Sequence, residues 1–407
     1  MKLNFKKRLP EEWKLDQIGN RITLNYGKSQ SKIRAIDGDI PIYGTGGLME
    51  FGTQFLSQGD SVIIGRKGTL DNPLYINHPF WTVDTAYYTS DFDGSTKWFY
   101  YLVQTIGLAE LNEATGVPSL ARDTFYKLKI PFPPKEEQQQ IAKILDTVDK
   151  AIAQTETLIA KYKRVKTGLM QDLLTRGIDE NGQLRDPTTH KFKRSPLGMI
   201  PDEWDVYYLK DLTLKIIDGV HHTPKYVDSG IPFVTVKNLT ASESIDLSEI
   251  NYITPEDHKN FIKRVEPCPG DILVSKDGTL GVARIIPQHF PIFSIFVSVA
   301  LLRPNLNICK PELILFFFES GTFEYQLGKL SAGTGLRHIH LEHFQQFQIA
   351  IPPPEEQTEI FSRLDICNKF IYSEQIQLTK LQKIKTGLMQ DLLTGKISVK
   401  PLLKNQP

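Results

Sequence analysis

The chain has three cysteines in 407 residues (Cys268, Cys309 and Cys367). They are far apart, in no metal-ligand or paired spacing, so neither a disulfide scaffold nor a zinc site is expected. Long apolar runs are also missing. None exceeds six residues, as in Leu313–Phe318, too short to span a bilayer. The first residues, MKLNFKKRLP, are basic without an apolar signal core behind them, and together these features suggest a reduced cytoplasmic protein. Charge of one sign is lacking as well. The net charge is +1, so contact with nucleic acid must come from local basic surface.

Catalytic motifs are equally scarce. Gly27-Lys28-Ser29 ends like a phosphate loop, but Ile22 stands where the earlier glycine is needed. No GxGxxG follows a strand, and no amino-methyltransferase motif (Asn-Pro-Pro-aromatic or Asp-Pro-Pro-Tyr) occurs. His338, His340 and His343 are close in sequence, but their repeat counterparts are Ser119, Ala121 and Thr124. A metal site is therefore not expected.

What is present is a repeat. KTGLMQDLLT occupies Lys166–Thr175 and again Lys385–Thr394, 219 residues later. At that offset PPKEEQQQIAKILD (Pro133–Asp146) lies on PPPEEQTEIFSRLD (Pro352–Asp365). From Pro133 to Thr175, 21 of 43 positions are identical. Further back, Thr115, Gly116 and Phe125 meet Thr334, Gly335 and Phe344. Gly59–Leu70 resembles Gly270–Gly281, and LPEEWKL at Leu9 resembles IPDEWDV at Ile200. The chain is two related halves, each with a divergent front and a similar back. The back is expected to do one thing twice, and the fronts to do one kind of thing to two targets.

The similar backs carry apolar residues at alternating steps of four and three, from Ile141, Leu145 and Val148 to Leu169 and Leu173, and from Ile360 and Leu364 to Leu388 and Leu392. This spacing predicts two long helices with a coiled-coil seam. Both begin after paired prolines with two glutamates, suited to the positive helix end. They end near Arg176-Gly177 and Gly395-Lys396. At 1.5 Å per residue each is a rod of about 58 Å. The expected fold class is α+β: two mixed α/β domains, each followed by a long helix, the helices packing as an antiparallel coiled coil with pseudo-twofold symmetry. The expected divisions are residues 1–134 and 201–354 for the fronts, 135–176 and 355–396 for the helices, 177–200 for a linker and 397–407 for a tail.

Both fronts alternate short β-rich runs with glycine- and proline-marked turns. Their turns carry residues suited to duplex DNA: glycines that let the backbone approach phosphate, arginine and lysine for phosphate or guanine, and asparagine for adenine. In the first front these are Tyr43, Gly44, Thr45, Gly46, Arg66, Lys67, Thr69 and Thr115. In the second they are His222, Thr223, Lys225, Lys237, Asn238, Lys276, Thr279, Thr334, Arg337 and His338. The same turns also suit plain hairpins.

The doubled LMQDLLT, the two proline-glutamate helix starts, KFKRSPLGMIPDEW (Lys191–Trp204) and DGVHHTPKYVDSGIPFVTVKNL together resemble the specificity subunit (HsdS) of type I restriction-modification enzymes, over nearly the whole chain. The resemblance implies two target recognition domains, each reading one half of a split, asymmetric duplex DNA site, with the paired helices as a ruler. It implies two copies of a methyltransferase subunit (HsdM) and two of a restriction subunit (HsdR) as partners. S-adenosylmethionine, ATP and Mg would be bound by those partners, and no cofactor or catalytic residue would lie in this chain. Two equivalent partners need two equivalent docking surfaces, which points to Leu169, Met170, Gln171 and Asp172 and to Leu388, Met389, Gln390 and Asp391. Internal packing is the other explanation for the four apolar residues. A coiled-coil scaffold whose fronts bind protein is the alternative function.

Overall fold

The computed structural model describes residues 9–330 and 337–403. The chain forms two compact units: residues 1–158 with 374–407, and residues 159–373. Each long helix is continuous, Lys135–Thr175 and Pro354–Leu393. Yet the first part of each belongs to one unit and the last part to the other, a division that a serial reading of the chain does not produce.

The two units repeat one topology. In the first, strands Thr23–Tyr26, Ala86–Ser90, Ser61–Gly65 and Leu74–Ile76 lie side by side in that order, antiparallel throughout. In the second, Thr213–Asp218, Val299–Pro304, Ile272–Ser275 and Ala283–Ile285 do the same. A three-stranded sheet accompanies each, centred on Ile40–Gly44 and Ile231–Val234. Each has one antiparallel and one parallel neighbour. A two-stranded ribbon leads into each long helix, pairing Lys14–Gln17 with Lys129–Phe132 and Asp205–Tyr208 with Gln348–Ile351. A short helix carries an aromatic run in each unit, Thr96–Val103 and Pro311–Phe318.

The start of each long helix shows why its sequence recurs. Proline pairs disfavour helix before it, and Glu136-Glu137 and Glu355-Glu356 occupy the first turn. The next glutamine turns back on its own proline carbonyl: Gln138 Nε2 donates to Pro133 O at 2.8 Å and Gln357 Nε2 to Pro352 O at 2.9 Å. Its other end caps a domain helix, Gln138 Oε1 accepting from Ser95 N and Gln357 Oε1 from Lys310 N. The second glutamate receives an indole N–H, from Trp13 to Glu137 at 3.3 Å and from Trp204 to Glu356 at 3.0 Å. LPEEW and IPDEW are thus the other halves of the helix-start motif.

Every position of the four-three stripe is buried or half-buried in both helices. In the first unit Ile141 and Leu145 share a core with Met389, Leu392 and Leu393, and with Trp13 and Phe125. Lys385 pairs with Asp149 at 2.7 Å. In the second, Met170 and Leu173 share a core with Ile360 and Leu364, and with Trp204 and Phe344. Tyr162 there stacks on Phe370 at 5.4 Å. Within each unit the start of one helix therefore meets the end of the other. Each decapeptide completes the core of a front domain from the other half of the sequence. A buried Leu or Met contributes about 1.5–3 kcal/mol, so retention of these residues has a packing cause. Left-handed glycines stop both helices, Gly177 at φ +64° and Gly395 at φ +69°, each against the tryptophan of its unit.

Candidate nucleic-acid interface

In each unit the ends of the central strands bring one group of turns together. In the first unit Tyr26 faces Tyr87 across the ladder and Gly65 faces Ala86. In the second Asp218 faces Ala300 and Ser275 faces Val299. The two registers coincide, so Tyr26 and Asp218 hold equivalent places, as do Arg66 and Lys276. The next turn matches too. Leu120 N donates to Arg66 O at 2.9 Å and Ile339 N to Lys276 O at 2.8 Å, while Lys67 bridges Ser119 and Asp277 bridges His338.

The side chains at these matched places differ in chemistry. In the first unit Arg66 lies over the Tyr26 ring at 5.1 Å, with one N–H on the Asp84 carbonyl. Arg122, from the short helix Arg122–Tyr126, lies over the same ring at 5.2 Å. Two guanidinium groups thus flank one half-exposed aromatic face, an arrangement suited to phosphate and base contact. Lys67, Thr69 and Thr115 are exposed. The Gly44–Gly47 turn is adjacent: a Cβ placed on Gly68 would lie 3.7 Å from Thr45 Oγ1, and Asn72 holds the Thr45 carbonyl. Gly46 is exposed, whereas Gly44 is buried and Tyr43 turns to His78 and Phe80.

In the second unit the central residue is a buried carboxylate. Asp218 accepts from Lys276 Nζ at 2.8 Å, Arg264 Nη2 at 2.5 Å and His221 Nε2 at 3.1 Å. Burial alone would raise its carboxyl, but these three hydrogen bonds outweigh it and hold the group down at about 2. Lys276, expected at the DNA surface, is 3% exposed and wholly engaged by Asp218. The reason is the exchange of Tyr26 for Asp218: a carboxylate draws the cation inward where a ring lets it lie on the surface. The exposed polar groups here are the Arg264 guanidinium and the His221 imidazole, with His222 packed on Phe261. They line a cavity of about 520 Å³ with Asn260 and Asp257.

Other sequence candidates divide in the same way. Asn238, expected at the DNA surface, turns inward. It is buried, accepting from Thr235 N and Oγ1 and donating to Asp246 O; it caps a helix. Lys237 is exposed and pairs with Glu249. Thr223, Lys225, Thr279 and Arg337 are exposed, and His338 is held by the Asp277 carboxylate. Thr334 lies outside the described residues. Arg122 and Arg264 were not apparent in the sequence, because only long-range contacts carry them to these strand ends. The register match of Tyr26 with Asp218 is likewise visible only through strand pairing.

On the helices, Met170 and Met389 are buried at 5% and 8%, which removes them from an open docking surface. Leu169 and Leu388 are half-buried against the same cores. Gln171 and Gln390 are exposed, while Asp172 and Asp391 pair with Arg176 and Lys396. Exposed apolar side chains lie elsewhere on the two helices, at Val165, Ile366, Phe370, Tyr372, Ile376 and Ile384. Among the described residues no metal-binding cluster occurs, and no helix is long and apolar enough to cross a membrane.

A family model described as the type I restriction modification DNA specificity domain matches residues 10–164 and 201–386. The specificity subunit of the type I restriction enzyme MjaVIII from Methanocaldococcus jannaschii is 26% identical, covering 98% of this chain and 97% of its own length. The crystal structure of a type I restriction-modification S subunit from M. genitalium has the same fold, with a TM-score of 0.64 and 14% identity over 96% of this chain and 99% of that one. A chain from a structure of type I restriction-modification complex assembly and conformational transition aligns with a TM-score of 0.55 and 17% identity, over 96% of this chain and all of that one (100%).

Proposed function

The chain belongs to the type I restriction modification DNA specificity family and is a specificity subunit of such a system, and we propose that it reads a split duplex DNA site for partner enzymes. Each front domain takes one half-site through its strand-end cluster. Arg66 and Arg122 around Tyr26 serve one domain, and Arg264 and His221 around Asp218 serve the other.

The observation that carries this reading is the repetition of one backbone site with different side chains. A shared frame with exchanged contacts fits two different base sequences presented in one geometry. Arginine supplies the bidentate and stacking contacts that base readout needs. The long helices act as the spacer. The exposed Ile366, Phe370, Tyr372 and Ile376 suit docking of methyltransferase subunits, which would bring restriction subunits with them. The chain itself is the non-catalytic member. S-adenosylmethionine, ATP and Mg belong to the partners. With a net charge of +1, much of the phosphate contact falls to those partners, so the isolated chain binds DNA weakly and salt-sensitively.

The test is a methylation map after co-expression with the neighbouring methyltransferase subunit in an unmethylated host. The expected result is N6-methyladenine in both halves of a split motif, on opposite strands. Arg66→Ala should impair one half-site and Arg264→Ala the other. A continuous motif, or an intact complex indifferent to both substitutions, would overturn the reading. The second outcome would favour a protein-binding scaffold.

A further inference from the structure

The two helix-start glutamates are equivalent in sequence and in their indole bond, but not in their remaining partners. In the second unit Glu356 is saturated. Arg185 grips it with Nη1 at 2.5 Å and Nη2 at 3.0 Å, and Ile178 N donates at 2.7 Å. Arg185 is 8% exposed, and its Nε also approaches Glu203, the residue before Trp204, at 3.8 Å.

In the first unit Glu137 is 3% exposed, and its Oε1 is buried with no hydrogen-bond partner among the described residues. Leu403 stands eight residues past Gly395, where Arg185 stands eight past Gly177. Lys400 supplies only part of the missing contact. It pairs at 2.7 Å with Glu12, the residue before Trp13, which leaves the inner oxygen of Glu137 unmet. Glu137 also lines a cavity of about 620 Å³, together with Glu12, Glu136, Lys143, Lys400 and Leu403 among others. Three carboxylates against two ammonium groups favour a cation. A buried carboxylate oxygen lacking a donor is costly. The matching site shows which donor this geometry takes, a guanidinium presented on a segment of chain. The volume exceeds what one small ion needs and suits such a segment.

We propose that the cavity beside Glu137 is an arginine-accepting site, filled on assembly by an arginine side chain of a partner protein. The identity of that partner rests on the functional reading above, which supplies a methyltransferase subunit. Arg185 is then the chain's own version, in the second unit, of a contact that the first unit takes from outside.

The test uses the full chain labelled on tryptophan, with the indole N–H signals of Trp13 and Trp204 as probes. The ligands are the peptide acetyl-Gly-Arg-Gly-amide and its lysine counterpart. The arginine peptide should shift Trp13, the lysine peptide should do so far less, and Trp204 should stay in place because Arg185 already occupies its carboxylate. Glu137→Gln should abolish the Trp13 response. Failure of Trp13 to respond, or equal responses to arginine and lysine, overturns the site. In the assembled system Glu137→Gln should raise the Kd for the methyltransferase subunit by about thirtyfold or more. An unchanged Kd, with the peptide still binding wild type, overturns a partner arginine as the occupant. A wild-type chain that does not bind the methyltransferase subunit overturns the functional reading, and the assigned partner with it.

Discussion

Asp218→Asn is the substitution whose outcome follows most directly from the structure. The carboxylate is 2% exposed and holds Lys276, itself 3% exposed, together with Arg264 and His221. Lowering its carboxyl from the ordinary 3.8 to about 2 corresponds to about 2 kcal/mol of folding stability. Removing the charge also leaves the Lys276 ammonium buried without a counter-ion, and breaking such a pair from one side costs about 3–5 kcal/mol. The second unit should therefore lose about 3 kcal/mol at neutral pH. The folded carboxyl lies below its unfolded value, so its contribution is complete above pH 3.8 and fades as pH falls toward 2. The deficit of the variant should shrink across that window. Adding Lys276→Met should restore much of the loss. Hydrogen exchange in Thr213–Asp218 and Ile272–Ser275, followed through urea unfolding, measures the change where it arises. A deficit under about 1 kcal/mol, or one that stays constant through the acid window, would refute the ion-cluster argument.

The remaining predictions concern the repeated scaffold. Gly177→Ala and Gly395→Ala force a side chain into left-handed backbone, with Cβ 2.1 Å from Glu356 Oε1 and 2.7 Å from Pro10 Cδ. Each should cost at least about 1–2 kcal/mol, read by hydrogen exchange in its own unit. Asn238→Ala breaks a cap and should cost about 1–3 kcal/mol while leaving the methylated sequence unchanged; degeneracy confined to one half-site would return Asn238 to the DNA contacts. Arg185→Gln strips Glu356 of its bidentate partner and should lower second-unit stability by about 3 kcal/mol, with the Trp204 indole signal shifting. An unmoved Trp204 signal would count against the shared glutamate.

The features legible in the sequence were those that local or periodic physics controls. The 219-residue offset, the four-three stripe, the proline-glutamate starts and the glycine stops each act within a few turns of chain. They defined two long helices and two related fronts, with only their ends adjusted by folding. Part of the candidate interface was legible as well, since Arg66, Lys67, Thr69 and Thr115 stand in turns where composition placed them.

Tertiary structure alone decided which side chains those turns keep. Lys276 and Arg66 occupy matched places in similar sequence, GRKGTL and SKDGTL. One cation is drawn inward by Asp218 and the other lies on Tyr26, each partner being about 40–60 residues away in the chain. The same holds for the doubled decapeptide. Its identity announces one role performed twice, but only packing shows that Met170 and Leu173 close one core and Met389 and Leu392 the other. Burial, ion pairing and core membership depend on residues brought together across the fold, and one half of a contact does not specify the other.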